Sequence, residues 1–231
     1  MRRRTWTASV AGLAAGACLA ATALAAPVPV YKNDMSSTGK RAGLRVLGSG
    51  RCNRGGSDVA LRVRVGKRTA ECAYRTPVVG RDLEIFATER LLSGTPASIR
   101  GRTFVGLGLR AGDGNYKLEV RPAAKAWRLR RVEPGGGSRV LGAGRAPRIG
   151  GINEANEMRL RAFNLTSTAD PDDCRLLASV NGVQLAAVTD PTAGPLAGRF
   201  STVSVGSTRN ARGAVASFDD LIVRVPDPFA G

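Results

Sequence analysis

Apolar side chains recur at every second position through residues 103–132, a spacing that predicts half-buried β-strands rather than helix. Val105, Leu107 and Leu109 share one parity, joined after a turn by Tyr116, Leu118 and Val120, and then by Trp127 and Leu129. The opposite parity carries Gly106, Gly108, Arg110, Lys117, Glu119, Arg121, Arg128 and Arg130. Asp113-Gly114 separates the first two runs, a dipeptide that tolerates the positive φ of a tight hairpin turn. Strands over 103–110, 115–122 and 126–132 follow, with one dry side and one basic, partly flat side.

The same alternation extends through the chain. Val59, Leu61, Val63 and Val65 oppose Arg62 and Arg64 within residues 58–65, and Leu83 and Ile85 continue it in 81–87. Residues 88–92 are ambiguous. Met158, Leu160 and Ala162 alternate with Arg159 and Arg161, and Asn181-Gly182 joins 176–180 to 183–188 as a second hairpin. Residues 198–205 and 214–225 supply the last strands. About twelve short strands punctuated by turns, with no long amphipathic helix, predict an all-β chain folded as a two-sheet antiparallel β-sandwich. At 231 residues it suits one domain, placed over residues 41–228.

Before that domain, Arg2, Arg3 and Arg4 precede an apolar stretch and the small-residue site Ala23-Leu24-Ala25, the pattern of a secretory signal over residues 1–25. Residues 26–40 read as an extension. Cys18 after Ala15-Gly16-Ala17 offers an alternative, lipid anchoring at the cell surface. No later run reaches membrane-spanning length. Secretion makes a disulfide expected, and Cys52, Cys72 and Cys174 allow three pairings. Cys52–Cys72 is favoured because the two flank the 58–65 strand; its loop closure is worth roughly 3 kcal/mol. Cys174 is left as a free thiol.

The formal charge is +17, with 30 Arg against 5 Lys, and +14 once three signal arginines are removed. Such a balance attracts acidic polysaccharide, phospholipid or nucleic acid. It also arises from the Arg-, Ala- and Gly-rich coding of GC-rich genomes, so only charge clustered on one face carries a functional meaning. The chain has no histidine, which excludes the Ser-His-Asp arrangement and the commonest zinc ligand. Any enzyme here would run on carboxylates, Lys or Tyr.

From Phe104 onward the order of features resembles the concanavalin A-like lectin/glucanase jelly roll, especially the laminin-G-like domains of bacterial secreted proteins. The resemblance is carried by Gly106-Leu-Gly-Leu-Arg, Asp113-Gly-Asn-Tyr, Trp127-Arg-Leu, Asn156-Glu-Met-Arg-Leu and Val180-Asn-Gly-Val, then Asp190, Gly198-Arg-Phe and Phe218-Asp-Asp-Leu-Ile-Val. It implies two curved antiparallel sheets, and a carbohydrate-binding module, glycosidase or adhesion module as function. The catalytic Glu-x-Asp-x-x-Glu strand of the glucanases has no match. Glu84, Glu89, Glu119, Glu133, Glu154 and Glu157 do not fall at alternate positions of one strand, so no catalytic residue is assigned.

If the strands at 103–110, 115–122, 126–132 and 157–163 are neighbours, their outward positions pool a ligand-binding face. It comprises Phe104, Arg110, Lys117, Arg121, Arg128, Arg130, Arg159 and Arg161, with Arg suited to carboxylate, sulfate or phosphate. A solvated, solubilising face is the competing account. Tyr116, Trp127 and Phe218 fall on core parity, whereas Phe104 and Phe163 fall on the surface parity. No cofactor is expected beyond a structural calcium, for which the resemblance points to Asp219 and Asp220; Asp170, Asp172 and Asp173 are a second acidic group. Gly106-x-Gly108 is no phosphate loop, since no helix follows it. The expected protein is a secreted, monomeric, non-catalytic binding or cell-envelope module for carbohydrate or another surface polyanion, without a specific nucleic-acid partner. A carboxylate-based hydrolase and a purely structural surface protein are the alternatives.

Overall fold

In the computed structural model the alternating segments become strands in two antiparallel sheets. The structure describes residues 28–35, 43–47, 52–57, 60–66, 70–112, 114–164, 174–190, 196, 198–208 and 210–225. The expected signal with Cys18, the Asp170–Asp173 group and Asp113 lie outside them. The first strands are β1 (Val28–Asn33), β2 (Arg45–Leu47), β3 (Cys52–Ser57), β4 (Ala60–Val65) and β5 (Glu71–Val79). Then come β6 (Leu83–Leu91), β7 (Thr103–Ala111), β8 (Asn115–Arg121), β9 (Ala126–Val132) and β10 (Ser138–Arg145). The last are β11 (Asn156–Asn164), β12 (Cys174–Val180), β13 (Val183–Asp190), β14 (Phe200–Ser207) and β15 (Val215–Val225).

One sheet runs β13-β12-β11-β6-β15-β4-β3, with β1 also paired to β15; the other runs β10-β9-β8-β7-β14-β5-β2. Among the described residues these are eight- and seven-stranded. The ambiguous 88–92 stretch extends β6 to Leu91, because a central strand flanked by β11 and β15 finds ladder partners on both sides. Val28–Asn33, in the stretch expected to precede the domain, pairs antiparallel with the end of β15.

The predicted core parity holds. Val105, Leu107, Leu109, Tyr116, Leu118, Val120, Trp127 and Leu129 pack from one sheet onto Leu83, Ile85, Met158, Leu160, Leu176 and Phe218 of the other. Burying each such side chain contributes roughly 1.5–3 kcal/mol. Covalent and polar ties join the layers at their margins. The Cys52–Cys72 disulfide links β3 to β5 across the sandwich, with Cα atoms 5.7 Å apart, while Cys174 is free and buried. Asp190 on β13 accepts hydrogen bonds from Tyr116 Oη (2.8 Å), Arg131 Nη1 (2.5 Å) and Arg139 Nη2 (3.0 Å), which come from β8, β9 and β10. Burial, with Cys174 and Asp190 beside it, raises the Tyr116 phenol; burial raises the Cys174 thiol to about 11.

Candidate ligand-binding site

β7 and β14, at the middle of the seven-stranded sheet, carry Gly106, Gly108, Thr202, Ser204 and Gly206 on the outer face. Larger side chains stand on either side. Lys117 and Glu119 project from β8, Arg130 and Arg128 from the paired positions of β9, and Arg75 and Glu71 from β5 beyond β14. The small residues make a low floor, and neighbours lie over it. A Cβ on Gly206 would meet the Phe104 ring at 2.6 Å, and one on Gly106 would meet the Lys117 stem at 3.4 Å. The Lys117 ammonium sits 4.3 Å from the Phe104 ring centroid and pairs with Glu71. Lys117 and Glu71 stand three strands apart, about 14 Å across a flat sheet, and four residues out of register along it. They touch because the Lys117 stem runs diagonally over Gly106 and carries its ammonium over the Phe104 ring to Glu71.

Glu119 is the electrostatic centre of the face. Buried among cations, it accepts from Arg128 Nε (2.9 Å) and Nη2 (2.5 Å), pairs with Arg130, and lies 3.6 Å from Lys117. Burial alone would raise its carboxyl, but Lys117, Arg130 and Arg128 outweigh that and hold it below the usual carboxylate range. Two carboxylates, Glu71 and Glu119, thus converge on Lys117. A hydrolase would need one of them protonated as general acid, and Glu119 is held in the opposite state.

The predicted ligand residues are dispersed. Phe104, Lys117, Arg121, Arg128 and Arg130 share this face, although Phe104 and Lys117 are buried in it. Arg159 and Arg161 stand on the outer face of the other sheet, because β11 pairs with β6 and β12 and not with β9. Arg110 is interior. Four residues of β7, from Gly108 to Ala111, oppose three of β14, from Phe200 to Thr202, and the bulge places Arg110 at φ +52°. The extra residue breaks the period of two and turns the guanidinium inward. There it donates to the Arg81 carbonyl (3.2 Å), Asp82 (3.2 Å) and Asn164 (2.6 Å). The expected single pool of outward arginines is therefore split between two walls and an interior clamp.

Asp219 and Asp220 occupy a bulge in β15, with Asp220 at φ +47° and its backbone N–H donating to Asp219 at 2.9 Å. Partial burial raises the Asp219 carboxyl. Among the described residues no group of three His, Cys, Asp or Glu side chains stands close enough to hold a metal ion.

An open cleft lies beside the covered floor, where β2, β5 and the start of β14 meet. Its volume is about 350 Å³, and its walls include Gly43, Arg45, Arg75, Pro77, Val79 and Phe200. The Arg75 guanidinium stacks 4.4 Å from the Phe200 ring centroid. Among the described residues neither Arg45 nor Arg75 meets a carboxylate within ion-pair distance, unlike Arg128 and Arg130 next door. Val79 is exposed. Two available guanidinium groups, a ring and an apolar rim can hold a planar anion while packing an apolar surface. Alternation in Cys72, Tyr74 and Thr76 against Ala73 and Arg75 was the available signal for β5, a pattern that Pro77 obscures. Arg45 comes from a three-residue strand that periodicity does not register.

Comparison with known proteins bears on the fold. No family model and no curated protein matches the chain. Among solved structures, a Bacillus subtilis protein of unknown function with a galectin-like fold superposes with TM-score 0.63 at 15% identity, over 87% of this chain and 98% of that one. The carbohydrate binding module CBM66 from Bacillus subtilis gives 0.56 at 15% identity, covering 79% and 95%. The alginate lyase Aly36B gives 0.53 at 16% identity, covering 87% and 96%. The architecture is a galectin-like jelly-roll sandwich, in agreement with the concanavalin A-like resemblance.

Proposed function

We propose that this protein is a secreted, non-catalytic module that binds an acidic glycan, or a like cell-envelope polyanion, in the Arg45–Arg75–Phe200 cleft. The observation that carries the reading is the pair of guanidinium groups lining a cleft of about 350 Å³ without a carboxylate partner among the described residues. A sugar carboxylate or sulfate suits the guanidinium fork, and the apolar face of a sugar ring suits Val79, Pro77 and the Phe200 edge. The jelly-roll neighbours include a carbohydrate binding module and a carbohydrate recognition domain, which supports a saccharide as the polyanion. The laminin-G-like resemblance, the signal-like leader and the inter-sheet disulfide support an extracellular setting. Glu119, held ionised by Lys117, Arg130 and Arg128, supports binding over hydrolysis with it as general acid.

Titration calorimetry with trigalacturonate and with neutral galactotriose tests it. The acidic trisaccharide should bind and the neutral one should not, with affinity falling as salt shortens the Debye length. Arg75→Ala should weaken binding at least about tenfold, the loss of one charge-assisted contact of about 1.5–3 kcal/mol. Equal affinity for both sugars, or an Arg75→Ala protein that binds as well as the wild type, would overturn the reading.

A further inference from the structure

The outer face of the eight-stranded sheet has a feature that the cleft reading leaves unused. Glu84 on β6 is buried there and takes Arg224 at 3.3 Å, with Arg159 at 3.8 Å. Arg161 is the residue directly opposite Glu84 in the β6–β11 ladder, the position from which a cross-strand ion pair forms most readily. It does not form one. Its guanidinium instead lies 4.7 Å from the Phe163 ring centroid, and among the described residues it has neither ion pair nor hydrogen bond. Glu84 is thus occupied on the Arg224 side, and the Arg161 donors remain available beside the half-exposed Arg159.

A depression of about 180 Å³ opens between these groups, walled by Arg159, Arg161, Leu177, Ser179 and Gln184 together with Glu84. Its volume is about half that of the cleft on the opposite wall. That is room for one acidic substituent and part of the ring that bears it, not for a run of sugars. Two guanidinium groups address the anion, Gln184 and Ser179 offer neutral hydrogen bonds to hydroxyls, and Leu177 offers apolar surface. Glu84 lies deep and is already paired with Arg224 and Arg159, so it orients Arg159 more than it repels an incoming carboxylate.

We infer that this depression is a second binding site, in which Arg159 and Arg161 hold the carboxylate of an acidic saccharide unit. The inference rests on the proposed function only for the class of ligand; its residues and its wall are separate. Since stacked sheets lie roughly 10 Å apart, the two sites open on opposite sides of the molecule and can fill together.

Calorimetry with trigalacturonate should give two equivalents per chain. Arg161→Gln should abolish one of them or weaken it at least about tenfold, and Arg75→Ala should remove the other. Gln184→Ala, an exposed rim substitution that leaves the core untouched, should weaken the same equivalent about two- to fivefold and carries the test if Arg161→Gln does not fold. Inorganic sulfate at matched ionic strength should compete only weakly. The inference is overturned if neither Arg161→Gln nor Gln184→Ala changes stoichiometry or affinity, or if sulfate fills the site as tightly as the uronate does. A single equivalent lost in Arg161→Gln but kept in Arg75→Ala would sink the cleft and leave this site standing; the reverse would do the opposite.

Discussion

Glu89 is fully buried on the inward face of β6, between Asn156 and Phe218 in the ladder, and among the described residues neither carboxylate oxygen has a hydrogen-bond partner. Burial pushes its carboxyl well above the ordinary range, and Lys117 offsets this only in part. In the unfolded chain the group ionises near the ordinary Glu value of about 4.3. Above that pH the folded state holds a proton that the unfolded state has released, so folding stability falls as pH rises. Glu89→Gln removes the linkage. Urea unfolding should show the variant and the wild type close together near pH 4.5, and the variant more stable at pH 8 by on the order of 1–3 kcal/mol. Parallel stability curves across that interval would refute the assignment. Position 89 shares the inward parity of Leu83, Ile85, Ala87 and Leu91, but a Glu there interrupts the apolar pattern, which leaves residues 88–92 ambiguous in the sequence. Arg110 misled in the other direction, since a bulge is a property of two paired strands and leaves no mark in one of them.

Strand parity was legible wherever a run was long, regular and paired to its sequence neighbour, as in β7, β8, β9 and the β12–β13 hairpin. Pairing between distant segments was not. The Lys117–Glu71 contact needs β14 inserted between β7 and β5, an arrangement that local periodicity cannot encode. The same insertion explains the glycines of β7. A Cβ on Gly108 would come within 2.3 Å of Thr202 Oγ1, the position it faces on β14, while the next atoms lie at 3.6 Å. Gly108→Ala should therefore cost about 1–3 kcal/mol by overpacking. In a Thr202→Ala background the obstructing oxygen is gone, and most of that cost should vanish. A double-mutant cycle by chemical denaturation measures the coupling; an equal penalty in both backgrounds would mean that the β7–β14 register is not the one described. Gly106→Ala should not be rescued this way, because its obstacle at 2.9 Å is the Leu118 carbonyl, part of the ladder itself.

Taken as a whole, the described residues carry cations on both outer walls, each wall built around one buried carboxylate ringed by cations, Glu119 on one and Glu84 on the other. Composition made the excess legible, but not its division, which depends on β11 joining β6 and not β9. Division matters because sites on opposite walls make a single chain bivalent, and a bivalent molecule joins long polymers that a one-sided one merely coats. Wild-type protein mixed with polygalacturonate should therefore scatter light, with a maximum at intermediate ratio and clearing in protein excess, where each polymer site is capped by a separate molecule. Charge neutralisation also clouds near charge balance and clears by charge reversal in protein excess, so the single-site variants, which change the net charge by only one, make the distinction; a dimer bearing one site per chain would still cross-link when Arg161 is replaced. Arg75→Ala and Arg161→Gln should each bind the polymer and fail to cloud it, and about 0.5 M salt, which cuts the Debye length to less than half its value at 0.1 M, should disperse the wild-type network. Persistent turbidity in either variant would show that bridging does not need two walls.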